Sequence, residues 1–223
     1  MFEKKHFGPQ IALLAIVVLV AACGGRATPT ASPTTVPPTP TPIPPTPTPT
    51  PIPLSQWIDA GYEAMTHSDF AGAIDHFEQA AKADPTYAPA FIGLAWANYW
   101  QIGQEPRALE MAQNAIDLAP NNAATHAVLA RVQGAMYHID SAVSEAEKAV
   151  ELDSSNAEAQ VSLAAAYLGD NQYDAALEAV ERAIVLQPDL ATAYQVLGDY
   201  YWATGDAARV KAAYERAIEL QPE

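Results

Sequence analysis

One cysteine, five histidines and 26 acidic side chains are what this 223-residue chain offers to nucleophilic, acid–base or metal chemistry. Their spacing suits none of the three. His67, His76, His126 and His138 are scattered along the chain without metal-ligand intervals. His67 and His138 precede Asp69 and Asp140 at predicted turns, where solvated turn residues are expected. Glu145 and Glu147 stand two apart, so on a helix they diverge instead of sharing a substrate. There is no HExxH, paired CxxC, Gly-rich phosphate loop or nucleophile elbow. The residues therefore predict no catalytic centre, no metal and no cofactor. An enzyme would need polar groups that converge in one cleft only after folding.

The cysteine invites a different chemistry. Cys23 has no partner for an intramolecular disulfide, and it follows Leu19-Val20-Ala21-Ala22. An apolar run from Ile11 to Ala22 precedes it, behind Lys4 and Lys5. Such a run is short for a bilayer span and fits an export signal. Residues 1–22 with Cys23 resemble a bacterial lipoprotein signal. The resemblance implies cleavage before Cys23, its acylation by palmitate-type chains, and attachment to the extracytoplasmic face of the cell membrane. More than one chain gives lasting attachment, because each buried CH₂ contributes roughly 0.8 kcal/mol. A free thiol after an ordinary signal peptide and an uncleaved anchor are the alternatives.

Residues 23–53 read as a linker. From Thr28 to Pro53 nearly every residue is Pro or Thr. Proline fixes φ, removes a backbone donor and extends the residue before it, so this stretch is expected to be disordered polyproline II. At about 3.1 Å per residue it would hold the next domain up to roughly 80 Å away. A docking site for a Pro-reading domain is the alternative, and the threonines could carry sugars.

Beyond the linker a ruler appears. Pro85, Pro120, Ser154, Pro188 and Pro222 are separated by 35, 34, 34 and 34 residues, a period that marks stacked helix pairs. Residues 54–223 accordingly divide into 54–87, 88–122, 123–156, 157–190 and 191–223, each read as two helices of about a dozen residues. Gly103 and Gly205 mark inner turns, while Asp69, Asp140, Asn171 and Asp206 are expected to supply turn or capping oxygens. Small residues at Gly61, Ala95, Ala130, Ala164 and Gly198, with Ala73, Ala108, Ala142 and Ala176, allow close helix packing. Trp57, Phe77, Phe91, Leu94, Leu129, Leu163 and Tyr214 fill the spaces.

These positions resemble the tetratricopeptide repeat family. Repeat five carries its pattern as Tyr194, Leu197-Gly198, Tyr201, Tyr214, Ala217 and Pro222; repeat one as Trp57, Ala60-Gly61, Ala73, Phe77, Ala80 and Pro85; repeat four as Leu163-Ala164, Tyr167, Ala176, Ala183 and Pro188. Repeat two departs by one extra residue near Gln101 to Gly103, and repeat three by Ser154 and His126. The resemblance implies an all-α fold, a right-handed superhelical solenoid of about five helix-turn-helix repeats. It also implies a concave groove, lined by the first helix of each pair, that holds a segment of another protein.

Helical spacing places Ile58, Tyr62 and Met65, then Ile92, Trp96, Tyr99 and Trp100, Arg131, Val161 and Leu168, and Asp199 and Trp202 on that face. Tyr99 has packing between helices as its alternative. A protein or peptide is the expected partner, with carbohydrate or cell-wall stacking on Tyr62, Trp96 and Trp100 as the alternative. Ile58 and Tyr62 stand where some family members place a Lys/Asn carboxylate clamp, so capture of a C-terminal carboxylate is not expected. A net charge of -15 leaves no basic footprint for nucleic acid. The sequence stops at Glu223 without the extra polar helix that often closes such arrays, so Val210, Tyr214, Ile218 and Leu220 are expected to present apolar area for self-association.

Overall fold

The computed structural model describes residues 52–221, and the signal segment, Cys23 and most of the Pro/Thr-rich stretch lie outside them. The described residues form ten helices and no strand. They pair as α1 (Leu54–Thr66) with α2 (Phe70–Ala83), α3 (Ala88–Tyr99) with α4 (Glu105–Leu118), and α5 (Ala123–Ala135) with α6 (Ile139–Leu152). The series continues with α7 (Ala157–Gly169) and α8 (Tyr173–Leu186), then α9 (Ala191–Thr204) and α10 (Ala207–Leu220). First helices begin at intervals of 34, 35, 34 and 34 residues. The extra residue of the second interval lies in the turn between α3 and α4.

Local chemistry starts and stops these helices. The side chains of Asp69, Asn122, Asn156 and Asp206 accept from the backbone N–H groups of Gly72, Ala124, Ala159 and Arg209, satisfying donors that the first turn leaves free. Proline sits in the first turn of α3 and of α4, where its missing N–H has no intrahelical partner. Each inner turn holds one left-handed residue two positions before the second helix: Ser68, Gly103, Tyr137, Asn171 and Gly205. One expected oxygen acts otherwise: Asp140 lies inside the first turn of α6 behind the N-cap His138, whereas Asn171 is the left-handed turn residue and its Oδ1 accepts from the Tyr173 hydroxyl at 2.9 Å.

Packing follows the repeat. Each helix meets its hairpin partner and the next hairpin, and first helices also meet each other along the series α1, α3, α5, α7 and α9. Backbones of second helices stay apart and meet only through side chains, as in the 3.0 Å ion pair of Arg107 on α4 with Glu78 on α2, so the first helices form the inner, shorter-radius layer. Apolar clusters straddle neighbouring repeats. Phe77, Ala73, Leu94 and Ala97 join repeats one and two; Ala95, Ala108, Ala112, Val128, Leu129 and Val132 join two and three. The fully buried residues between repeats three and four are alanines, with Val143, Val150 and Leu163 packed half-buried against them, and Val161, Val180 and Val196 with small residues join four and five. No described helix is long and apolar enough to cross a membrane.

His126, where a large apolar residue was expected, is buried and acts as a clasp. Its Nδ1 lies 2.6 Å from Glu145 Oε2 and its Nε2 2.8 Å from the Pro120 carbonyl. Glu147, on another side of α6, accepts from the Tyr167 hydroxyl at 3.0 Å. The two carboxylates thus serve separate contacts.

Candidate functional site

The inner layer encloses a cavity of about 520 Å³ with two unlike walls. Tyr62, Met65 and Phe70 from the first repeat and Ile92, Trp96 and Trp100 from the second make an aromatic wall. Asn156 and Glu158 at the start of α7, with Thr192 and Gln195 of α9, make a polar wall, and Ala124 and Ala127 of α5 lie between them.

One helix face supplies the lining from first helices, but the height of the lining changes along the array. In α1 and α3 it reaches the last two turns, through Met65 and Thr66 or Trp96 and Trp100; in α5, α7 and α9 it stays in the first turns. A shift of seven or eight positions corresponds to about 11 Å along a helix axis. A superhelix that rotates each hairpin against the last carries a straight groove diagonally across its inner helices.

Five of the expected groove residues therefore line the cavity together: Tyr62, Met65, Ile92, Trp96 and Trp100. The lining omits Ile58, Tyr99, Arg131 and Trp202. Ile58 packs against the cluster around Phe77. Tyr99 packs between helices against the Val128 cluster, with Trp96 and Trp100 edge-on to its ring at 5.7 Å and 5.1 Å between centroids. Arg131 donates from Nη2 to the Tyr99 hydroxyl at 3.2 Å. Trp202 is 75% exposed, beyond the cavity. Val161 is fully buried in the core, Leu168 packs against the same cluster, and Asp199 accepts from the Tyr214 hydroxyl at 2.6 Å. Asn156, Glu158, Thr192 and Gln195 were missed because they precede or open their helices, above the height at which the aromatic residues suggested the groove.

Glu158 dominates the site's electrostatics. Its Oε1 accepts from Thr192 Oγ1 at 3.1 Å, and Oε2 is buried with no hydrogen-bond partner among the described residues. Burial pushes its carboxyl above the ordinary range, while Arg131 and the Thr192 bond pull the other way. Tyr62 keeps 40% of its surface exposed, yet crowding by the groove raises its phenol to about 12, and the charge of Glu158 adds to the rise. Polar groups do converge here. Among the described residues the lining holds no histidine, no cysteine and no second carboxylate. Among the described residues no three His, Cys, Asp or Glu side chains cluster as a metal site.

Comparison with known proteins agrees with this architecture. Three family profiles, each described as tetratricopeptide repeat, match residues 64–132, 128–191 and 191–223. The solved structure of TTC0263, a thermophilic TPR protein of Thermus thermophilus, superposes with a TM-score of 0.65 at 20% identity, over 77% of this chain and 93% of that one. The MamA protein aligns at 26% identity with a TM-score of 0.47, over 75% and 91% of the two chains. No curated protein matches the sequence.

Proposed function

Residues 64–223 belong to the tetratricopeptide repeat family, and from that premise we propose that this chain is a membrane-anchored, extracytoplasmic scaffold that holds a segment of another protein in its concave groove. The family's fold commonly mediates protein–protein contact, and the observation that carries the reading here is the two-walled cavity along the inner helices. Large rings at Tyr62, Trp96 and Trp100 are the side chains best suited to anchor a partner. Anchorage is assigned to Cys23 on the small residues and apolar run before it. Surface on the last hairpin, where Ile218 is 68% exposed and Val210, Tyr214 and Leu220 are half-buried, is assigned to contact with a second copy.

Crosslinking in native membranes, followed by pull-down, tests the central reading. A discrete protein partner should be recovered with the parent chain and lost with the Trp96→Ala/Trp100→Ala variant. Equal recovery from both removes the groove from the function, and retention on glycan instead of protein moves it to carbohydrate binding. Cys23→Ala should abolish labelling by a palmitate analogue and release the chain from membranes. Light scattering that shows a strict monomer at high concentration removes the second-copy contact.

A further inference from the structure

Two buried polar atoms of opposite charge beside the groove lack hydrogen-bond partners among the described residues: Glu158 Oε2 and Arg131 Nε. They do not satisfy each other. Arg131 is turned toward α3, where its guanidinium lies 5.5 Å from the centre of the Tyr99 ring and bonds that residue's hydroxyl. Gln133 Oε1 and Ser162 Oγ are also unpartnered, but neither residue lines the cavity. Only Glu158 combines a buried, unpaired oxygen with a place in the lining.

A carboxylate oxygen without a donor is a standing cost of the folded state, of a kind that native structures keep where something else supplies the partner. The donor's chemistry can be read from the lining. Among the described residues Glu158 is the lining's only charged side chain, with no lysine or arginine beside it. Across the cavity stand Trp96, Trp100 and Tyr62, whose ring faces attract cations and whose breadth suits an aliphatic stem. The whole chain carries a net charge of -15, which steers basic partners toward it and acidic ones away.

Resting on the scaffold reading, we infer that the groove selects its protein partner by one cationic side chain, a lysine or arginine in an extended segment. Its head group pairs with the Glu158 carboxylate, which turns to bring the buried Oε2 to the groove, and its stem lies along Trp96 and Trp100. Arg131 is a positioning residue: its positive charge opposes the effect of burial and favours the ionised carboxylate, while Tyr99 holds it away from Oε2.

Tryptophan fluorescence of the full-length chain in detergent, titrated with three blocked ten-residue peptides, tests this. The peptides alternate valine with lysine, with norleucine or with glutamate. The lysine peptide should bind about tenfold tighter than the norleucine peptide, with the preference shrinking at high salt, and the glutamate peptide weakest. In Glu158→Gln the lysine preference should fall below about threefold while norleucine affinity stays and the melting temperature does not drop. A merely structural role for Glu158 would not produce that split. Equal binding of the lysine and norleucine peptides, or an unchanged preference in Glu158→Gln, overturns charge selection and leaves the scaffold reading standing. Failure of all three peptides, together with no partner crosslinked in membranes, overturns both.

Discussion

Tyr137 is held at φ +61° with 88% of its surface exposed, so nothing it touches offsets the steric cost of a left-handed backbone. Gly103 and Gly205 fill the same slot in their repeats without that cost. Tyr137→Gly is expected to stabilise the chain by about 1 kcal/mol in chemical denaturation, and Gly205→Ala to destabilise it by a similar amount. The glycines and Asn171 announced this turn in the sequence. Ser68 and Tyr137 hid the same position in their hairpins, because the backbone demand comes from the hairpin geometry and not from the residue. Glu158 was hidden for another reason: a carboxylate in the first turn of a helix reads as a solvated dipole partner, and only stacking of repeats buries it. Its raised carboxyl gives a signed pH effect. The folded state favours the protonated form more than the unfolded chain does, so lowering pH from neutral relieves a destabilisation, and raising it restores one. Glu158→Gln should raise the melting temperature by ~2–4 °C at pH 7, for about 1 kcal/mol relieved. That advantage should fade as pH drops through the ordinary carboxylate range, followed by calorimetry at several pH values.

Between elements, the decisive contacts are those where a ring meets a bare backbone. The fully buried Phe77 ring packs against α1 and α3. A methyl at Gly61 would lie 2.5 Å from that ring, and one at Gly93 closer still. Gly134, on α5, has only the Ala142 methyl at 3.9 Å from such a methyl. The same substitution should therefore change sign with its place. Gly93→Ala is expected to lose about 1–3 kcal/mol through overpacking, and Gly134→Ala to gain up to about 1 kcal/mol of helix propensity, both read from denaturation midpoints. Element order and the helical face were legible because the period and the small-large alternation repeat along the chain. The height of the groove on each helix was not. Trp96 and Glu158 share a face but lie at opposite ends of their helices, and a displacement set by superhelical rotation leaves no mark in any one repeat.

Over the whole molecule the same rotation means that no single core holds the two walls of the groove in place. The aromatic wall belongs to repeats one and two and the polar wall to repeats four and five. Between them the fully buried contacts of the third repeat with the fourth are made by alanines, among them the cluster of Ala127, Ala149 and Ala159. Ala127 lines the cavity, and Ala159 follows Glu158 directly, whereas Ala149 sits on α6 outside the lining. Small side chains let these helices approach closely, so the spacing at this junction sets the distance across the groove. A wedge placed there acts on the site without touching it. Ala149→Leu is expected to cost about 1–3 kcal/mol of stability. It should also begin to separate the melt of repeats one to three from that of repeats four and five, as coupling between neighbours weakens in a linear array. Affinity for the lysine peptide should fall several-fold, although no groove residue has changed. A cooperative melt with parental affinity would show that the walls are set elsewhere, by the hairpins themselves and not by the contact between the third and fourth.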